Sequence, residues 1–276
     1  MRNLVFGSEG FVGNPLALYL EELGEEVVRF DIKRDASEDL RQCRIDFSGI
    51  DRVYFLAWEV GGAKYLYEQD SQFQQLDWNL RLLINVMPQL QASQIPFLFI
   101  SSQLAEEYDT VYGVTKRLGE VWTHLMNGVR VRLWNVYGPL EKPSQRTHVI
   151  SDFVHQAVIE KKIVMLTTGD EKRQFIHIND VCRAFHKALD MNLKGVYDVS
   201  SFEWVSIMDV AKIIAEAAGA EIVAGQKVGA TPITPMKGRV PGWLPEVDLQ
   251  QGLSRMVNEL QLNLGMKKAD DLSLIA

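Results

Sequence analysis

Tyr112 and Lys116, in the run Tyr112-Gly-Val-Thr-Lys116, stand four residues apart and ten residues past a serine pair, Ser101-Ser102. On a helix the i and i+4 positions share a face, so a phenol and an ammonium would lie side by side. A phenol with a pKa near 10 is a poor base at neutral pH. A neighbouring cation favours the phenolate and is expected to lower that value. Tyr112 could then remove a hydroxyl proton while hydride leaves the attached carbon. Such chemistry needs a hydride acceptor close by, and an oxidised nicotinamide there would favour the phenolate as well.

Gly7-Ser-Glu-Gly-Phe-Val-Gly13 offers a place for one, between a strand-like run and a helical pattern. Gly7 permits a tight turn, Gly10 lets backbone approach a pyrophosphate, and Gly13 lets the helix pack closely on the sheet. The helix start then presents N–H groups and a partial positive charge. Asp31 ends the next strand-like run, 18 residues after Gly13, where a carboxylate can accept hydrogen bonds from a ribose diol. The pattern points to a dinucleotide. Asp31 would repel a 2′-phosphate, so NAD is expected; NADP is the alternative, because Lys33 and Arg34 follow. Asp46 is a candidate for the adenine edge or, equally, a turn residue.

These groups need a scaffold. Strand signals at 3–6, 26–30, 52–56, 96–100 and 129–133 are interleaved with helical patterns at 11–23, 76–90 and 112–126. That order predicts right-handed β-α-β units and a parallel sheet covered on both faces. After Gly138 the pattern changes to a polar loop at 140–146, helical stretches at 148–160, 179–191, 207–218 and 249–260, and a glycine- and proline-bearing loop at 225–242. The expected fold is α/β. A Rossmann-fold parallel sheet occupies residues 1–138, with 176–200 returning to it, and a smaller C-terminal α/β lobe occupies 139–276.

The chain has 276 residues, 47% hydrophobic and 24% charged, with net charge 29 − 36 = −7. This composition suits a globular protein with a large core and argues against general binding to nucleic acid or anionic membranes. The two cysteines, Cys43 and Cys182, form no CxxC pair, and the five histidines do not cluster with them, so no metal site is expected. Two thiols in a chain this long suggest a reducing compartment, and the N-terminus reads directly into a strand; a cytoplasmic location is expected.

A resemblance now emerges. The chain resembles the sugar-nucleotide epimerases and dehydratases of the extended short-chain dehydrogenase/reductase superfamily. The residues that carry it are GSEGFVG, the Ser101-Ser102 strand end, YGVTK followed by Arg117-Leu-Gly-Glu120, and Arg132-Leu-Trp-Asn-Val-Tyr-Gly-Pro139. Arg173-Gln-Phe-Ile-His-Ile-Asn-Asp-Val181, Gly195-Val-Tyr-Asp-Val-Ser200 and Gly242-Trp-Leu-Pro245 continue it. The resemblance implies Tyr112 as catalytic acid/base, Lys116 as its partner holding the nicotinamide ribose, and Ser102, with Ser101 the lesser choice, bonding the sugar oxygen. It implies a cofactor site lined by Gly7, Gly10, Phe11, Val12, Gly13, Asp31, Ile32, Lys33, Asp46, Phe47, Leu56, Ala57 and Trp58, with Trp134 and Val136 near the nicotinamide. Asn135 would contact the nucleotide-sugar, and Arg173 would hold its diphosphate through a guanidinium fork.

Departures narrow the chemistry. Dehydratases of this superfamily carry an Asp-Glu pair after the serine or threonine; Gln103 and Leu104 stand there, so dehydration is disfavoured. Glu106 and Glu107 read as a solvated loop. Gly61-Gly62 and Thr147-His-Val-Ile150 resemble GDP-fucose synthase and GDP-mannose 3,5-epimerase-like members, which implies an acid role for His148, but Leu104 replaces the expected partner cysteine. His177 reads as structural. Lys237 and Arg239 are candidate phosphate contacts. The expectation is an NAD-dependent epimerase acting at C4 of a nucleoside-diphosphate sugar by transient hydride transfer. The alternatives are an NADP-dependent reductase of a nucleotide-linked keto-deoxysugar and, from another class, a catalytically silent dinucleotide-binding regulator. The resemblance also implies a homodimer paired through helices near 72–90 and 112–126, and a role in carbohydrate or polysaccharide biosynthesis.

Overall fold

A computed structural model describes residues 1–266, apart from the side chain of Ala63. In chain order the first elements are β1 (Arg2–Phe6), α1 (Gly13–Glu22), β2 (Glu26–Phe30), β3 (Arg52–Phe55), α2 (Ala63–Leu66), α3 (Gln69–Ser93), β4 (Phe97–Ser102), α4 (Val111–Leu125), β5 (Val129–Leu133) and β6 (Asn135–Tyr137). Then come α5 (Val149–His155), β7 (Lys162–Val164), β8 (Lys172–Arg173), β9 (Phe175–His177), α6 (Ile178–Asp190), β10 (Gly195–Val199), β11 (Val205–Ser206), α7 (Ile207–Ala218), β12 (Glu221–Val223) and α8 (Leu249–Asn263).

Six strands form one parallel sheet in the order β10-β5-β4-β3-β1-β2. Its strands are apolar runs because helices cover both faces. On one face Phe6, Phe55 and Phe99 meet edge to face, at centroid distances of 5.9 and 5.6 Å, beneath Leu83, Val86 and Met87 of α3. Each such fully buried side chain contributes roughly 1.5–3 kcal/mol. The sheet is the parallel α/β core that the alternation of strand and helix signals predicts.

The β2–β3 crossover departs from strict alternation. Residues 31–51 hold one 3₁₀ turn, Ala36–Glu38, and no α-helix. Polar side chains of α3 take the helix's place as anchors. Asn85 Nδ2 donates to the Leu40 and Cys43 carbonyls, Gln89 Oε1 accepts from Ile45 N, and the Arg41 guanidinium stacks 4.1 Å from the Trp78 ring.

The chain divides into two compact units. The first comprises Met1–Trp134, Ile178–Val199 and Thr234–Leu244; the second comprises Asn135–His177, Ser200–Ile233 and the stretch from Pro245. Residues 135–138, 176–177, 200 and 234–244 therefore lie elsewhere than the sequence division put them. Residues 135–138 go with the second unit because β6 pairs with β9. Thr234–Leu244 goes with the first because Asp198 Oδ2 accepts from the backbone N–H groups of Lys237 and Gly238, and Trp243 Nε1 donates to Asp180 O. The second unit packs α5, α7 and α8 around Val154, Val158, Ile214, Leu253 and Val257, with three two-stranded pairs at its margins. Among the described residues no helix is long and apolar enough to cross a membrane, and no three His, Cys, Asp or Glu residues gather as a metal site.

Candidate active site

The β1–α1 turn is built by close approach. Gly7 has φ +82°, and a Cβ there would stand 2.7 Å from Ala57 N; a Cβ on Gly13 would stand 1.9 Å from Gly7 O. No larger residue fits either position. Helix α1 starts at Gly13 with no side-chain cap, so its first N–H groups meet no side-chain acceptor there. The Ser8 hydroxyl in the same turn is buried without a partner. Phe11 and Val12 are half-buried at the helix start, and Leu56 and Ala57 pass beside Gly7. An uncapped helix start, a bare glycine cradle and an orphan hydroxyl fit a bound pyrophosphate.

Asp31 is 8% exposed at the end of β2 and accepts from Glu9 N and Lys33 N, at 3.0 and 2.9 Å. Lone pairs remain on both oxygens for a diol. The cations expected to meet a 2′-phosphate are otherwise engaged: Arg34 faces the Glu9 carboxylate at 3.7 Å, and Lys33 Nζ donates to Glu9 O. Glu38 adds a second carboxylate beside Asp31, accepting from its backbone N–H. Of the remaining sequence candidates, Ile32 is exposed, Phe47 packs under the Leu4–Phe55 core, and Asp46 is exposed, its carboxylate closing a turn onto Ser48 N.

Ser102, Tyr112 and Lys116 come together. Ser102 ends β4 and Thr110 caps α4 by accepting from Gly113 N, so the helix begins against the turn Gln103–Glu106. A Cβ on Gly113 would stand 2.2 Å from Glu107 O, which is how closely the two segments lie. The Ser102 hydroxyl accepts from Leu104 N at 3.2 Å and stands near enough to the Tyr112 phenol to favour its ionised form. Lys116, 2% exposed, donates from Nζ to Ile100 O at 2.8 Å, and its ammonium lies 4.0 Å from the Trp58 ring centroid and 5.8 Å from that of Tyr112.

Desolvation pushes the Tyr112 phenol up to about 12, the nearby Ser102 hydroxyl offsetting part of it. Burial also brings Lys116 well below its ordinary value, with Glu120 pulling the other way. In the protein alone burial therefore outweighs the groups that favour charge on either partner, and the expected lowering of the phenol also calls on an oxidised nicotinamide.

Ser101 is a correction. The pleat sends neighbouring side chains to opposite faces, and the Ser101 hydroxyl donates to Glu120 Oε1 at 2.7 Å, away from Tyr112. Glu120 also accepts from Arg132 Nε and the second guanidinium nitrogen, at 2.7 and 2.8 Å. Arg132, 1% exposed, reaches Glu106 at 2.7 Å, and Lys237 Nζ reaches the same carboxylate at 3.1 Å. Glu106 is thus no solvated loop residue. The Arg132 hydrogen bond and the Lys237 cation hold its carboxyl down to about 2. Burial alone would raise Glu120, but Arg132 and Ser101 outweigh it and keep it ionised. Sequence reasoning quoted Glu120 and Arg132 in their motifs but gave them no role; other charges in the same elements, Lys116 and Arg117 in α4 and Arg130 in β5, left nothing to single them out. Trp134 Nε1 donates to Asp198 Oδ1 at 3.0 Å, joining the same end of the sheet.

The other candidates belong to the second unit, except Arg239, whose backbone bridges Asp198 in the first. Asn135 Nδ2 donates to Gln174 O, and Val136 lies beside it in β6. The Arg173 guanidinium donates to the Lys172 and Ala230 carbonyls, which fixes its aim. His148 begins α5, and its Nδ1 lies 2.9 Å from the Glu141 carboxylate, which also accepts from His148 N. That Glu141–His148 dyad was not visible in the sequence, since it depends on the 140–146 loop folding back. His177 meets the Tyr137 ring edge to face.

Comparison with known proteins adds the following. The family model for "NAD dependent epimerase/dehydratase family" matches residues 3–200. The chain is 26% identical over 167 residues to a putative UDP-glucose 4-epimerase of Methanocaldococcus jannaschii, covering 55% of this chain and 53% of that one, so it spans about half the length of that relative. It is 26% identical to a dTDP-4-dehydro-6-deoxy-D-allose reductase of Streptomyces bikiniensis, covering 82% of this chain and 85% of that one. Among solved structures, the UDP-glucose 4-epimerase of Thermotoga maritima with UDP-glucose superposes with a TM-score of 0.77 at 19% identity, covering 96% of this chain and 100% of that one. At that identity the likeness is one of fold.

Proposed function

The chain belongs to the NAD dependent epimerase/dehydratase family, and on that premise we propose that it is an NAD-dependent epimerase acting at C4 of a nucleoside-diphosphate sugar. The observation that carries the proposal is the gathering of Ser102, Tyr112 and the buried Lys116, whose ammonium lies 5.8 Å from the Tyr112 ring centroid, on the unit that also holds the glycine turn and Asp31. NAD, when bound, supplies a reversible hydride acceptor. Tyr112 takes the proton of the C4 hydroxyl through its phenol oxygen and later returns it. Ser102 holds the same sugar oxygen and orients the phenol. Lys116 brings positive charge next to a developing phenolate and bonds the ribose diol. Asp31 accepts from the other ribose. Asn135 and Arg173 bind the nucleotide and diphosphate of the substrate.

NAD is favoured over NADP because Asp31, Glu38 and Glu9 surround the diol position and Glu9 already engages Lys33 and Arg34. The relatives include both an epimerase and a reductase, so the net reaction is decided by assay. The test begins with thermal shift against NAD and NADP, then UDP, GDP, dTDP and CDP with each. Stabilisation by NAD and by one diphosphate selects a sugar panel. Interconversion of C4 epimers, with the C4 hydrogen retained and no net change in NADH absorbance, is the expected result. Stoichiometric loss of NADPH would move the assignment to the keto-sugar reductase. No shift with either dinucleotide, on protein free of retained cofactor, would remove the reading.

The protein is also proposed to be a homodimer through α3 and α4. Leu118, Val121 and Leu125 share one face of α4 at 44%, 46% and 75% exposure, and Phe73 and Ile84 of α3 are 81% and 63% exposed. Light scattering should give twice the 31.3 kDa chain mass; a monomer refutes it.

A further inference from the structure

Lys116 has an unusual set of neighbours for a buried cation. Its ammonium carries three donors, and one bonds Ile100 O at 2.8 Å. No carboxylate pairs with it among the described residues. Its nearest acidic neighbour along α4, Glu120, is committed to Arg132 and Ser101. What faces the ammonium instead is aromatic: the Trp58 ring at 4.0 Å and the Phe99 ring at 5.3 Å. Trp58 is itself fixed edge to face on Phe99, with centroids 5.6 Å apart. It follows Ala57, the residue whose backbone N lies against Gly7, so it stands at the edge of the glycine turn. The quadrupole of an indole face attracts a cation more strongly than any other side-chain ring does, and most strongly where water is absent.

We propose that Trp58 is a positioning residue for Lys116: its indole face holds the ammonium against Ile100 O. The proposal deepens the functional reading above and rests on it, since Lys116 matters to binding only if a dinucleotide occupies the turn. It separates two roles of the side chain. As bulk, Trp58 fills space that leucine would also fill. As a π-face, it acts only through Lys116.

The experiment compares Trp58→Leu and Trp58→Phe, each with Lys116 present and with Lys116→Met, by calorimetric titration of NAD and by melting temperature. With Lys116 present, Trp58→Leu should weaken NAD about tenfold and Trp58→Phe, which keeps a ring, by no more than about threefold. With Lys116→Met the two variants should bind NAD equally, within about twofold. Equal losses for Leu and Phe beside an intact Lys116 would overturn the proposal, as would a Leu loss that persists after Lys116→Met. If the unaltered protein binds no NAD, the functional reading fails, and the melting temperatures still decide the proposal. Leucine must then melt lower than phenylalanine only where Lys116 is present; the same order in both backgrounds refutes the π-face role.

Discussion

Arg132 and Lys116 are both sealed from water, at 1% and 2% exposure, in the same unit of the molecule, yet their surroundings are opposite. Arg132 has two carboxylates, Glu120 and Glu106, on three of its nitrogens, and Glu106 has Lys237 besides. Those partners outweigh desolvation and hold the guanidinium charged. Lys116 has one carbonyl and a set of rings, and burial lowers it. A buried charge with all its partners present is committed to structure, because removing any member strands the rest. A buried cation left short of partners can spend its charge on a ligand or a transition state. The difference separates the part of this sheet end that holds shape from the part that would do chemistry.

The largest test falls on the second part. Tyr112→Phe should lower turnover by roughly 10²–10⁴-fold, the usual worth of a positioned acid/base, while NAD still raises the melting temperature. Loss of the NAD shift together with turnover would show that the phenol organises the pocket, and would blur the distinction. On the first part, Arg132→Met leaves Glu120 and Glu106 without their main partner. A cost of about 3–5 kcal/mol is expected, seen as a fall in melting temperature of roughly 10 °C for a chain of this size. Lys116→Met removes an ammonium that burial already disfavours, so melting should hold or rise even as turnover is lost. Equal destabilisation by the two methionines would end the comparison.

The part proposed to bear the chemistry was the more legible in sequence. GxxGxxG, Asp31 and YGVTK announce themselves because backbone proximity and helical spacing fix them locally. The sheet followed from strand-length apolar runs. The network was hidden because its members, Ser101, Glu106, Glu120, Arg132 and Lys237, are far apart in the chain and meet only when β4, α4, β5 and the 234–244 stretch assemble. Glu106, two residues from Tyr108 in a polar run, reads as solvated until Arg132 is known to point at it. The same holds for the β2–β3 crossover: a run as polar as Lys33–Arg44 carries no helical stripe, and what replaces the helix is a set of side chains on α3.

Acid pH offers a more graded probe. The Glu106 carboxyl lies at about 2 in the folded protein, below its ordinary value of 4.5. A carboxylate lowered by folding contributes stability that is complete above its unfolded pKa and is lost as pH falls through the folded one. Glu106 should therefore contribute up to about 3 kcal/mol at neutral pH, lost between about pH 4.5 and 2. Denaturant titrations at pH 5 and 3 should show a smaller difference for Glu106→Gln than for the unaltered protein. An unchanged difference would mean that Arg132 and Lys237 do not depend on that carboxylate.

The smallest effects come from the two adjacent serines, and they draw the boundary most finely. Ser101→Ala removes one donor from Glu120, which keeps both Arg132 bonds, so the cost should be about 1 kcal/mol of stability with turnover nearly unchanged. Ser102→Ala removes the hydroxyl beside Tyr112 that would hold the sugar oxygen, so turnover should fall by about tenfold or more while melting moves little. The side chains are chemically identical and one residue apart; only the pleat distinguishes them. If Ser101→Ala instead slows turnover as much as Ser102→Ala at full stability, the charged network must transmit to Tyr112 through α4, since Glu120 lies one helical turn beyond Lys116. The two parts of the sheet end would then be one device, and Arg132 would have to be counted as a positioning residue for the phenol.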